Sequence, residues 1–172
     1  MTTVNEMGPD ESTSERLQAA SITITVEDPA TPDAVHCIES YFAELDDRFE
    51  AGFDPSHSIS ADASELVEPR GLLLVARLHG TPVGCGALKF HGPQPAEIKR
   101  MWVSVDARGL GLGRRLLTEL ERHAVDRGVS MVRLETNQTL TEAIALYRSA
   151  GYHEVDAFND EPYAHHWFEK HL

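Results

Sequence analysis

The stretch Ser104–Leu117, SVDARGLGLGRRLL, stands between a run that alternates like a β-strand and a leucine stripe spaced like a helix. Gly109, Gly111 and Gly113 alternate through it, and Arg108, Arg114 and Arg115 surround them. The first turn of an α-helix carries backbone N–H groups without intrahelical partners, and the helix dipole adds positive potential there. Glycines remove side chains, so an anion can approach those N–H groups closely. Arginines at the rim add charge-assisted hydrogen bonds. The stretch therefore reads as a strand-to-helix turn shaped for phosphate, with the helix starting near Leu110. Several consecutive N–H groups suit a diphosphate. The alternative reading is a flexible turn with surface arginines. The spacing is not the Gly-x-Gly-x-x-Gly of dinucleotide-binding folds, and no nucleotide-triphosphatase loop is present.

Working outward, EIKRMWVSV (97–105) predicts the strand that feeds this turn. Leu112, Leu116, Leu117, Leu120 and Ala124 predict the helix that leaves it, ending near Gly128. SMVRLET (130–136) predicts a second strand, and Thr139 to Ala150 a second helix stopped by Gly151. This order implies a βαβ unit. Before it, Gly71–Phe90 predicts two strands joined at His79-Gly80. SITITV (21–26) predicts a first strand, and Thr31 caps a helix with Pro32 at its first position. The segment 50–70 reads as loop with a short helix. After the unit, 152–155 and 164–170 predict two short strands. Residues 1–20 are polar and predict a loose tail, leaving 21–172 as one domain.

Composition narrows the function. Lysine and arginine total 15 against 28 aspartates and glutamates, a formal net charge of -13. Nucleic acid needs clustered positive charge, so it is excluded as the main partner. An anionic membrane surface is disfavoured, and cationic acceptors such as amines are mildly favoured. The polar start lacks the apolar centre of a signal peptide, which places the protein in the cytoplasm. Cys37 and Cys85 read as reduced, buried thiols. Nine histidines show no metal-ligand spacing, so no metal is expected.

Val103–Leu117 resembles the acetyl-coenzyme A signature of the GCN5-related N-acetyltransferase (GNAT) family, R/Q-x-x-G-x-G/A, which Arg108, Gly111 and Gly113 match. LETNQTLTEAIALYRSAGYHEV (134–155) resembles the family's second motif: a strand, an Asn, a helix carrying A-x-x-L-Y, and G-Y opening the next strand. The resemblance covers roughly residues 70–155, and Val105 departs from the proline many members carry. It implies an α/β fold with a central mixed, mostly antiparallel sheet, splayed strands and flanking helices. It also implies acetyl-coenzyme A as co-substrate and a small-molecule or peptide amine as acceptor, in a fold that often forms homodimers.

The resemblance further implies residue roles. Met101, Trp102 and Val103 would lie along the pantetheine arm. Arg108, Gly109, Leu110, Gly111, Leu112, Gly113 and Arg114 would hold the diphosphate. Asn137 would hold the pantetheine or a water, though a turn or cap is its equally natural use. Tyr147 would be the acid that protonates the leaving thiolate, against its place in a core-facing stripe with Leu140, Ala143 and Ile144. Glu97 would be the base, against a plain strand-end acid. Phe49, Phe53, Tyr163 and Trp167 are packing residues by default and pocket walls by alternative. A different acyl-coenzyme A, or a binding module of the same fold without turnover, is the competing function.

Overall fold

The computed structural model describes residues 9–59 and 61–172. Strands β1 (Ile22–Val26), β2 (Gly71–Leu78), β3 (Thr81–His91), β4 (Gln94–Val103), β5 (Met131–Thr136), β6 (His153–Val155) and β7 (His166–His171) form one sheet in the order β1-β2-β3-β4-β5-β7-β6. Only β4 and β5 run parallel; every other neighbouring pair is antiparallel. Helices α2 (Pro32–Arg48), α3 (Leu112–Asp126) and α4 (Thr141–Ser149) flank it, and α3 is the crossover that joins the parallel pair β4 and β5.

The side-chain period of two divides the core between the faces of the sheet. Leu72, Leu74 and Ala76 of β2 pack with Leu112, Leu116, Leu117 and Leu120 of α3. Leu73 and Val75, between them, pack with Ala34 and Cys37 of α2. A strand covered on both faces reads as a continuous apolar run, and GLLLVA is one. Cys37 and Cys85 are free, buried thiols of the second cluster. Thr31 caps α2 by accepting from the Ala34 N–H, with Pro32 following, as its sequence predicts.

Two features of β4 position the site. The β3–β4 register steps from Cys85–Trp102 to Ala87–Lys99, so Gly86 alone faces both Arg100 and Met101. This is a β-bulge, and Arg100 takes a left-handed φ of 53° within it. A Cβ on Gly86 would lie 2.7 Å from the Met101 sulfur, so glycine opposite the bulge leaves room for the Met101 side chain. Then β4 and β5 pair only at Ala96–Val132 and Glu97–Arg133. Beyond those pairs the strands part, and a cleft opens between them.

Three boundaries differ from expectation. Pro9–Ala20 is a helix, α1, rather than part of a loose tail; residues 1–8 lie outside the described residues. Local polarity hid this, because a distant residue holds the helix end. The Arg115 guanidinium donates to the carbonyls of Ala19 at 2.9 Å and Ile22 at 3.0 Å. Helix α3 starts at Leu112, since Gly111 at φ 74° is its N-cap and a 3-10 turn, Val105–Ala107, precedes it. Strand β4 starts at Gln94, because its hairpin with β3 extends to His91, which places Glu97 inside the strand. Among the described residues no helix is long and apolar enough to cross a membrane.

Gly71 tests the tightness of this packing. An added Cβ would sit 2.3 Å from the backbone oxygens of both Glu65 and Leu88. Overpacking against backbone costs about 3 kcal/mol, and in a chain this size each kcal/mol moves Tm by roughly 2–4 °C. Gly71→Ala should therefore lower Tm by roughly 6–12 °C in calorimetry; an unchanged Tm would contradict the packing described.

Candidate active site

The cleft continues into a groove of about 440 Å³. Met101, Trp102 and Val103 of β4 line one side, and Leu146 and Tyr147 of α4 the other. The head of α3 closes its end. Gly109 and Gly111 are left-handed, with φ of 80° and 74°, and a Cβ on either would meet nothing within 4 Å. Their backbone therefore faces open space. A Cβ on Gly113 would lie 2.9 Å from Leu146 Cδ2, so glycine there lets α3 approach α4. The first turn of α3 holds Arg114 and Arg115 and no acid. Cations oppose the positive end of a helix dipole, so this terminus is built to receive an anion.

The structure sorts the residues proposed for this end. Arg108, Gly109, Gly111, Leu112, Gly113 and Arg114 all line the groove. Arg108 pairs with Glu44, and Arg114 donates to Ser149 Oγ at 2.6 Å. Leu110 does not line the groove; its side chain packs against the core. Arg115 turns away to hold α1 and β1.

A narrower pocket of about 100 Å³ lies beyond the groove. Tyr41, Met101 and Tyr147 line both cavities, so they stand at the junction. Phe49, Phe53 and Tyr163 form an aromatic wall with ring centroids 4.8–5.9 Å apart, extended by Phe42. Trp167 is not in it; its indole N–H donates to Asn159 Oδ1 at 2.9 Å. Tyr147 is 5% exposed, and its hydroxyl makes no hydrogen bond among the described residues. Burial, aided by the charge of Glu135, pushes its phenol well above the ordinary range.

Two carboxylates line the pocket, Glu135 and Glu161, and sequence reading singled out neither. Both Glu161 oxygens are occupied, accepting from the Ser58 hydroxyl and the Ile59 and Tyr163 N–H groups; Glu135 is the one left incompletely satisfied. Its side chain is 8% exposed; Oε1 accepts from Lys99 Nζ at 2.5 Å, and buried Oε2 has no partner among the described residues. Glu97 lines neither cavity. It lies behind Lys99 at 3.1 Å, with His91 at 2.9 Å and Arg133 at 3.4 Å. Burial pushes its carboxyl up, but these cations outweigh burial and hold it below the usual carboxylate range. Burial likewise pushes the Lys99 ammonium down, and Glu135 and Glu97 overcome it and hold it above its ordinary value. The signal for Glu135 was a lone acid in an apolar strand, matched by a lone lysine on the neighbouring strand. Asn137 lines the narrow pocket rather than the groove. Its amide is occupied: Nδ2 donates to Tyr163 O at 2.7 Å, and Oδ1 accepts from the Thr139 N–H and hydroxyl at 2.9 Å. This is the turn role that its residue type also allowed. Among the described residues no group of three or more His, Cys, Asp or Glu could hold a metal ion.

The acetyltransferase (GNAT) family model matches residues 38–152. The chain is 38% identical to the IAA acetyltransferase of Azospirillum brasilense over 139 residues, which is 80% of this chain and 88% of that protein. A GNAT-family acetyltransferase from Staphylococcus aureus Mu50 superposes with a TM-score of 0.73 at 16% identity, covering 88% of this chain and 99% of the other. A GNAT-family acetyltransferase from Elizabethkingia anophelis with acetyl-CoA bound superposes with a TM-score of 0.60 at 17% identity, covering 88% and 99%. The splayed parallel pair, the glycine-lined helix head and these likenesses agree: the chain belongs to the acetyltransferase (GNAT) family of acyltransferases.

Proposed function

We propose that the protein transfers the acetyl group of acetyl-coenzyme A directly to a primary amine of a small molecule or peptide. The observation that carries this is the meeting of two cavities at Tyr147: a long groove ending on bare helix amides, and a short pocket ending on a carboxylate. In this reading the diphosphate sits on the N–H groups of residues 109–114, and Arg108 exchanges Glu44 for phosphate. The pantetheine arm lies along Met101–Val103 as an added strand between β4 and β5. That brings the thioester to the junction, where a backbone N–H near Met101 polarises its carbonyl.

The chemistry needs two proton movements. The acceptor ammonium gives a proton to Glu135, directly or through a water, and the free amine attacks the thioester carbon. The C–S bond then breaks, and Tyr147 protonates the departing thiolate. A phenol whose ionisation burial opposes is a weak acid in isolation, but a thiolate is a strong enough acceptor at close range. The nitrogen then loses its second proton, which restores the Tyr147 phenol directly or through a water, and Glu135 gives its proton to solvent. Lys99 holds Glu135 in place, and Glu97 in turn holds Lys99; we assign Glu97 this positioning role in place of the base.

Tyr147→Phe keeps the ring in the core and removes the proton. It should lower turnover ten-fold or more in a thiol-release assay, with cofactor affinity by titration calorimetry little changed; an unchanged rate removes it as the acid. Glu135→Gln should lower turnover ten-fold or more in the same assay, and Glu97→Gln should lower it less; a larger loss in Glu97→Gln would return the base to Glu97. Gly111→Val, placing a branched side chain where the diphosphate would sit, should weaken coenzyme A binding by about 30-fold or more. Coenzyme binding without thiol release across a broad amine panel would overturn the catalytic reading in favour of a binding module.

A further inference from the structure

The narrow pocket holds two charged groups that the protein leaves incompletely satisfied, and they have opposite sign. Arg100 lines the pocket from the bulge of β4. Its guanidinium lies over the Phe42 ring, 5.4 Å from the centroid. One terminal nitrogen donates to the Ala61 carbonyl, while Nε is buried without a hydrogen-bond partner among the described residues. No carboxylate of the described residues forms an ion pair with it; Asp62 and Glu65 act on it only through space. A half-buried guanidinium without an acid partner is costly, because desolvation is not offset by a counter-charge. Glu135 presents the complement, a buried carboxylate oxygen without a donor, on the same pocket. Phe49, Phe53 and Tyr163 supply an apolar wall beside them.

We infer that the acceptor is a zwitterion: an amino acid with an aromatic or other apolar side chain, its carboxylate on Arg100 and its ammonium toward Glu135. This rests on the transfer reading above for its reaction but not for its binding. A fork of N–H donors matches a carboxylate in plane, and a buried acceptor oxygen matches an ammonium. The rings take the side chain. A zwitterion carries no net charge, so the formal charge of -13 does not repel it. A simple amine would satisfy Glu135 and leave Arg100 without its counter-charge. The left-handed φ of Arg100 belongs to the same picture: strained backbone is retained where it aims a functional side chain.

The test uses matched compounds with the full chain and acetyl-coenzyme A: phenylalanine, tyrosine, tryptophan, leucine and methionine, each with its amide and its decarboxylated amine. Thiol release should show at least one amino acid turned over with kcat/KM about fifty-fold or more above both counterparts, as expected when a buried polar group loses its partner. Arg100→Met should collapse that ratio to within about three-fold of unity, and Arg100→Lys should restore part of it. Each variant's melting temperature checks folding, and the wild-type comparison needs no variant. Amides or decarboxylated amines turned over as fast as the acids would overturn the inference and leave acetyl transfer standing. Should none of these compounds release thiol, calorimetry of the same amino acids with the coenzyme A-loaded protein decides. Binding lost in Arg100→Met keeps the zwitterion site while transfer fails, and absence of binding overturns the site.

Discussion

The functional architecture depends on the separation of β4 from β5. Two register pairs join them, Ala96–Val132 and Glu97–Arg133, and then the backbone groups of both strands lose each other as partners. Unpaired strand edges are free to accept an extended ligand, and polar backbone left in a cleft favours a ligand that carries amides. The bulge lies just past the last of these pairs: two residues of β4 oppose Gly86 alone, and Arg100 there is left-handed. The same bulge aims Arg100 into the narrow pocket and sets Met101 at the junction of the two cavities. One backbone irregularity thus sets a wall of the cleft and places a guanidinium in the narrow pocket.

Electrostatics then divides the site. The end of the groove is positive through helix geometry and through arginines in a first turn that has no acid. In the folded chain Glu44 occupies Arg108, so any anion that took this guanidinium would displace another. The pocket is governed instead by a buried line of charges, Glu97, Lys99 and Glu135, with the His91 ring against Glu97 at its outer end. Removing Lys99 would leave Glu135 without its cation, so Lys99 fixes the position of Glu135.

Much of this was legible in the sequence. The βαβ order, the hairpin at His79-Gly80 and the cap at Thr31 follow from periodicity and turn chemistry, which act over a few residues. The groove end was legible because glycines and arginines advertise a bare helix head. What was not legible depends on contacts far apart in sequence. Helix α1 is held by Arg115, and residues 9–20 show no sign of that partner. Asn137 has the residue type of a ligand, but Tyr163 and Thr139 consume its amide. Glu97 and Glu135 look alike as acids in apolar strands. Only the pairing of β4 with β5 shows that Glu97 lies behind Lys99 and Glu135 in front of it.

The most direct measurement is a crystal structure of the protein with coenzyme A bound. The account predicts the diphosphate within hydrogen-bonding distance of the N–H groups of residues 109–114. It also predicts the pantetheine arm between β4 and β5, with its sulfur beside Tyr147. A diphosphate held elsewhere, or an arm that lies outside the cleft, would contradict it.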